Sequence, residues 1–400
     1  MNLRTKNRNL VLICLIFFLS PFVAQAHSTP TCHECFLPAA DRPSLYLPLL
    51  KGKNIAVVTN QTGLLRSGKH VVDFLLEEGI NVRSIFAPEH GFRGDADAGE
   101  TVLAGRDKKT GLPIISLYGN NKKPTSLQLT GIDIILFDIQ DVGVRFYTYI
   151  STLTYVMEAA AENNKKVIVL DRPNPHDGYI DGPVLEEKFS SFVGLHKVPV
   201  VYGLTIGEYG MMVNGEKWLK NKVQADYTMI PMRGYKKTQR YDIPVSPSPN
   251  LPNAMAINLY PSLCFFEGTN VSVGRGTPNP FQIYGSPYLK DMPYTFTPRP
   301  SYGAKDPFLN GRESHGENLT KNYSALYNLN LGYLLKAYNQ FDHKKEKFFL
   351  PNLFFDKLAG TDKLRLQISA GWDENKIKES WKKDLKEFKE IRSKYIIYQD

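Results

Sequence analysis

The chain is 400 residues long, 42% hydrophobic, 22% charged and 12% aromatic, with a formal net charge of +9. That length calls for about two domains, each able to bury its own core, and the composition excludes a disordered or collagen-like chain. The positive charge carries no nucleic-acid motif with it. Much of the excess lies in the last third, as in Lys344-Lys345-Glu346-Lys347, where interleaved acids mark a solvated helix face.

The first 26 residues have the layout of a secretory signal peptide. Arg4, Lys6 and Arg8 form a basic start, Leu10 to Leu19 is an unbroken apolar run, and Ala24-Gln25-Ala26 supplies a small-x-small cleavage site. Cleavage after Ala26 would leave a chain near +6, exported to the periplasm or beyond. No later stretch approaches the roughly 20 apolar residues that span a bilayer. In an oxidising compartment Cys32 and Cys35 can close a small staple or stay as free thiols. A lone C-x-x-C lacks the second pair of a structural zinc site. Cys264, between Leu263 and Phe265, reads as a buried small hydrophobe.

From Leu49 onward strand and helix patterns alternate. Asn54 to Thr59 reads as a first strand, and His70 to Glu78 as an amphipathic helix stopped by Gly79. Val82 to Phe86, Ile114 to Leu117, Asp133 to Phe137 and Lys166 to Leu170 are further short apolar, β-branched runs. A helix from about Thr148 to Asn163 joins the last two, with Ile150, Leu153, Met157 and Ala160 on one stripe. This alternation predicts an α/β fold with a parallel, Rossmann-like sheet. Beyond Asp177 the pattern weakens. Residues 206 to 220 read as helix, Tyr227 to Met232 as a strand, and 331 to 341 and 374 to 393 as helices. Pro244 to Pro261 is rich in Pro and Asn, Gly268 to Pro280 is rich in Gly, and both read as ordered loops. The expected organisation is a signal peptide over 1–26, a Rossmann-like catalytic domain over 45–205 and a smaller α/β domain over 206–400.

No G-x-G-x-x-G or P-loop follows the first strand. Asn60-Gln61-Thr62-Gly63 stands there instead, which argues against a nucleotide cofactor. The chemistry lies in the loops after the other strands, where an open α/β sheet binds its ligands. Phe86 to Gly94 carries Glu89, His90 and Arg93 between glycines that let a ligand approach the backbone. Ser116-Leu117-Tyr118-Gly119, Asp138 to Tyr149 and Asp171-Arg172-Pro173-Asn174-Pro175 follow the next strands. Glycosidic cleavage needs a carboxylic acid to protonate the leaving oxygen, and usually a second group at the anomeric carbon. Glu89 is the candidate acid, with the alternative that it pins its own loop. His90 would orient Glu89 or fill a hydrogen-bonded loop position, and Asp141 and Tyr118 are candidates for the second group. Arg93, Arg145 and Arg172 could grip a carboxylate, or else pair with a neighbouring Asp. Tyr147 could stack on a sugar or pack in the core. Asn60, Asn174 and Asn270 stand in these loops and in the Gly-rich one, and are read with them as substrate-binding. Glu267 and Arg275 could close over the rim. Asp138, Asp141 and His90 lack the H-x-x-x-H or H-x-H spacing of a metal site, so no metal is expected.

These stretches resemble the exo-acting β-N-acetylmuramidases of the NamZ type, a family of bacterial peptidoglycan hexosaminidases. The matching residues are Thr59 to Gly63, Phe86 to Gly94, Thr110 to Pro113, Ser116 to Gly119, Phe137 to Thr152, Leu170 to Pro175, Tyr202-Gly203, Pro247 to Asn250 and Phe266 to Gly276. Leu358 to Asp362 and Ile396 to Tyr398 look like the family's end. The resemblance implies a Rossmann-like domain with a smaller C-terminal domain and an active site between them. It implies release of terminal N-acetylmuramic acid from the non-reducing end of peptidoglycan fragments, without a cofactor. The family's suspected acid falls on Glu89 and its Ser-Leu-Tyr-Gly tyrosine on Tyr118. The expected partners are muropeptides or disaccharides from peptidoglycan. Two rival readings are a metal-dependent amidase or deacetylase, which a chelator would silence, and a non-catalytic muropeptide-binding protein, which would tolerate Glu89→Gln.

Overall fold

The computed structural model describes residues 36–89, 91–92, 105–321 and 323–399, all within a single compact unit. The leader, Cys32, Cys35, His90 and Arg93 lie outside the described residues. No helix among the described residues is long and apolar enough to cross a membrane.

Seven strands form the main sheet: β1 (Asn54–Thr59), β2 (Asn81–Ala87), β3 (Gly105–Arg106), β4 (Pro113–Ser116), β5 (Ile134–Asp138), β6 (Lys166–Leu170) and β7 (Asp226–Ile230). Their order is β3-β4-β2-β1-β5-β6-β7. All pairings are parallel except the two-residue edge strand β3, which runs antiparallel to β4. The parallel strands thus follow the doubly wound Rossmann order, which reverses between β1 and β5. Residues on both faces of β1 and β5 are buried, which is why these strands are continuous apolar runs rather than alternating ones. β3 is too short to leave a pattern in the sequence. β7 lies beyond residue 205, where the first domain was expected to end, and still pairs with β6 over five residues.

Helices α1 (Pro43–Leu50), α2 (Val71–Glu77), α3 (Tyr149–Glu162) and α4 (Ile206–Gly215) surround this sheet in sequence. α3 buries Ile150, Leu153, Val156, Met157 and Ala160 at helical spacing. Each of its larger aliphatic side chains contributes about 1.5–3 kcal/mol on leaving water. α4 begins at a reciprocal cap, in which the Thr205 hydroxyl accepts from the Glu208 amide and the Glu208 carboxylate from the Thr205 amide. It ends at Gly215, short of the 220 expected from the sequence.

The C-terminal part differs more from expectation. α5 (Ala254–Leu263) occupies the end of the stretch that composition marks as loop. Asn253 caps it by accepting from the Ala256 amide, and Pro261 falls in its last turn. A small antiparallel sheet follows, with β8 (Ile283–Ser286), β9 (Tyr294–Phe296) and β10 (Ser314–Asn318) in the order β8-β10-β9. The chain ends in α6 (Gly332–Gln340), α7 (Phe354–Ala359), α8 (Lys363–Ser369), α9 (Glu374–Ser380) and α10 (Lys382–Arg392). The single helix expected over 374–393 breaks at Trp381.

A buried polar cluster fastens the C-terminal segment to the end of β6. Asp171 accepts from the Tyr398 hydroxyl (2.6 Å), the Thr205 hydroxyl (2.8 Å) and the Gly207 amide (2.8 Å). Burial, reinforced by the Glu208 charge and opposed by these donors, pushes the Asp171 carboxyl up to about 7 from 3.8. The folded protein therefore holds a proton on Asp171 between about pH 4 and 7 that the unfolded chain has released. Stability from this group falls as pH rises through that window, by at most about 1.4 kcal/mol per pH unit. Urea unfolding at pH 5 and 7 should show wild type losing ground to Asp171→Asn, and a pH-independent gap would sink the assignment.

Candidate active site

The carboxyl ends of β1, β2, β4 and β5 open where the strand order reverses, and a cavity of about 710 Å³ lies over them. That is within the range of roughly 300–1,000 Å³ common for small-ligand sites. Its sheet side is lined by Glu89 after β2, Tyr118 after β4, and Phe146, Tyr147 and Thr148 after β5. The opposite wall comes from α5 (Tyr260), from Cys264 just after it, from Glu267, Arg275 and Phe281, and from residues 303–308.

Glu89 sits in a turn closed by the Gly91 amide on the Pro88 carbonyl (3.0 Å), with Gly91 at φ +77°, where a side chain would be strained. The Thr148 hydroxyl donates to Glu89 Oε2 at 2.8 Å, just before the start of α3. The Tyr118 phenol stands beside the Glu89 carboxyl and feels its charge. Burial and the Glu89 charge push that phenol well above its ordinary range, so Tyr118 stays protonated and serves as a donor. Behind the carboxyl, the Tyr149 hydroxyl reaches the Glu89 carbonyl (3.5 Å) and accepts from the Asn60 amide (2.8 Å). A carboxyl held by the Thr148 hydroxyl, with the Tyr118 phenol beside it, and facing a walled cavity can protonate a leaving oxygen or stabilise positive charge beside it.

The remaining walls are aromatic. Tyr147 meets Tyr149 and Tyr260 edge-on, with ring centres 4.8 and 6.0 Å apart, and Tyr260 meets Phe281 at 4.9 Å. Arg275 lies 5.1 Å from the Phe281 ring centre and donates from Nε to Glu267 at 2.7 Å. Such faces suit the C–H surface of a sugar ring.

Glu89, Tyr118, Tyr147, Glu267 and Arg275, expected from the sequence, thus meet in one cavity. Others do not. Asp141 is buried away from it, taken by the Tyr202 hydroxyl (2.5 Å) and the Gly143 amide (2.7 Å). Burial lifts its carboxyl to about 6 against those two donors. It does not line the cavity in which a second group at the anomeric carbon was expected.

Arg145, expected to grip substrate, is fully buried. It donates to the carbonyls of Pro183 (2.8 Å), Val198 (2.7 Å) and Leu358 (2.9 Å), and burial pulls its guanidinium down to about 9. It is a strut between the loop after β5 and α7. Arg172 is locked on Asp138 at 2.6 and 2.9 Å and on the Leu64 carbonyl, the internal pairing weighed as its alternative. Asn60 spends its side chain on Thr62 and Tyr149, and Asn174 on Leu204 and His176. Asn174 also packs where a Cβ on Gly143 (φ +73°) would collide with it. Asn270 faces the other way and donates to the Lys347 carbonyl (2.8 Å). None of these Asn and Arg side chains lines the cavity.

Thr148, Tyr260, Phe281, Phe192 and the 303–308 segment were not singled out from the sequence, although each lines the site. Thr148 lies within a stretch that matches the family pattern. Phe192 and 303–308 carry no local signal at all, because they reach the cavity only through the fold.

Residues 55–255 match the family described as "Exo-beta-N-acetylmuramidase NamZ, N-terminal", and residues 258–398 its C-terminal counterpart. The chain is 40% identical over 382 residues to the peptidoglycan beta-N-acetylmuramidase NamZ of Bacillus subtilis (strain 168), covering 88% of this chain and 89% of that protein. Crystal structures of two DUF1343 family proteins from Bacteroides fragilis NCTC 9343 are also similar. One is 45% identical with a TM-score of 0.83, the other 29% identical with a TM-score of 0.75, and each covers 91% of this chain and 99% of its own. The cavity over the sheet's switch point, shared between the parts that the two models cover, is thus that of a chain belonging to the exo-β-N-acetylmuramidase NamZ family.

Proposed function

We propose that this protein is a glycoside hydrolase that removes N-acetylmuramic acid from the non-reducing end of peptidoglycan fragments, with Glu89 as the acid that protonates the leaving oxygen. The observation that carries the assignment is the Glu89 carboxyl, held by Thr148 beside the Tyr118 phenol in an aromatic-walled cavity. Family membership supplies the substrate class. Tyr118, protonated and in contact with Glu89, fixes the direction in which the carboxyl presents its proton. The basic, apolar, small-residue order of residues 1–26 supports export, which brings the enzyme to cell-wall fragments in the periplasm or outside the cell.

The test is release of chromophore from a nitrophenyl β-N-acetylmuraminide by the mature protein, beside the matching N-acetylglucosaminide and with a chelator in a parallel arm. Turnover of the muraminide, undiminished by chelator, is expected. Activity lost on chelation would favour a metal-dependent hydrolase, and binding of muropeptides with no turnover would favour a binding protein.

A further inference from the structure

Muramic acid differs from glucosamine by a lactyl ether that ends in a carboxylate. We propose that Arg275 is the residue that receives this carboxylate; the inference rests on the reading above. Arg275 lines the cavity, and its Nη1 is buried without a hydrogen-bond partner among the described residues. A buried guanidinium N–H left unpaired is costly, and a carboxylate bound at the Arg275 wall of the cavity would bring it an acceptor. The guanidinium has two usable edges. Glu267 takes the Nε side at 2.7 Å, which leaves the end bearing Nη1 and Nη2 for a second carboxylate in the bidentate geometry that arginine favours.

Glu267 and the Phe281 face hold the group still, so little side-chain entropy remains to be lost on binding. The wall from Tyr147 through Tyr260 and Phe281 runs from the Glu89 side of the cavity to Arg275. A sugar lying along it presents its glycosidic oxygen at one end and its lactyl group at the other.

Of the other arginines read from the sequence, Arg145 is committed to backbone carbonyls and Arg172 to Asp138, while Arg93 lies outside the described residues. Lys305 also lines the cavity but is exposed, where water screens its charge. Glu267 is a positioning residue in this scheme, acting through Arg275.

The test compares N-acetylmuramic acid with its neutral lactyl amide, as free sugars by calorimetry and as nitrophenyl β-glycosides in turnover. Wild type should prefer the acid roughly 10- to 100-fold in Kd and in KM, the span expected for a charge-assisted hydrogen bond. Arg275→Gln should bring that ratio close to one, whereas Lys305→Gln should keep it. Because Arg275→Gln leaves Glu267 unpaired, the double variant Arg275→Gln/Glu267→Gln is made beside it and should show the same collapse. Wild type that turns over acid and amide with equal KM overturns the proposal with no variant needed, as does a ratio that survives in either variant. Failure of the underlying reading looks different: wild type would cleave no muraminide, acid or amide, whether or not it binds one.

Discussion

Replacing Glu89 by Gln should lower kcat on a muramic acid–glucosamine disaccharide by about 10²- to 10⁴-fold, the usual worth of a positioned general acid. The carboxamide keeps the shape of the side chain and an oxygen for the Thr148 and Tyr118 hydroxyls, so the cavity should persist. What disappears is the transferable proton. A sugar alkoxide is a poor leaving group and depends on that proton, whereas a dinitrophenolate leaves nearly unaided. The variant should therefore lose much less on a dinitrophenyl β-N-acetylmuraminide than on the disaccharide. Equal losses on both substrates would remove Glu89 from the acid role and leave it, at most, a group that stabilises charge at the anomeric carbon. Unimpaired turnover of the disaccharide would remove it from catalysis altogether.

The largest loss of stability is expected at Lys237, which lies within no motif read in the sequence. Its ammonium contacts Asp177 at 3.0 Å and Glu208 at 2.5 Å, and all three side chains are at most 2% exposed. Glu208 also receives the amides of Thr205 (3.0 Å), Ile397 (2.9 Å) and Tyr398 (3.3 Å), so the same cluster that caps α4 holds the C-terminal segment. Lys237→Met would leave two buried carboxylates facing each other without a cation. Breaking a buried pair in this way costs about 3–5 kcal/mol, because the stranded charge cannot recover its hydration. Urea unfolding near neutral pH measures it. The exposed pair Lys69–Glu77, whose side chains are 41% and 58% exposed, is the comparison, and Lys69→Met should cost less than about 1 kcal/mol. Similar losses at the two positions would mean that the Lys237 cluster is reached by solvent.

The central strands were legible because a parallel strand buried on both faces must be apolar along its length, and β1, β5 and β6 are so except at their ends. The smaller sheet was not. β10 reads Ser-His-Gly-Glu-Asn and β8 contains Gly285, which packs against the His315 backbone in the neighbouring strand. Neither carries the alternation by which a strand is recognised. α5 was hidden by composition, since its start depends on one cap at Asn253 and its last turn carries Pro261, a residue that argues against a helix interior.

The candidate site divides in the same way. Glu89 and Tyr118 could be placed from the sequence because each directly follows a strand whose carboxyl end must face the ligand rim. The arginines, Asp141 and the three asparagines could not be sorted, since a polar side chain after a strand turns outward to a ligand or inward to a partner according to what stands opposite. For Arg145 the partners are carbonyls at 183, 198 and 358; for Asp141 one is the hydroxyl of Tyr202; for Arg275 it is a single carboxylate, which leaves half the guanidinium unused. By itself the sequence determined the strand order's raw material, the loops that bear chemistry and the candidate acid among them, because these follow from local periodicity and from the polarity of parallel strands. Only the tertiary structure decided which charges are struts and which face the cavity, because burial and pairing are set by residues tens to hundreds of positions away.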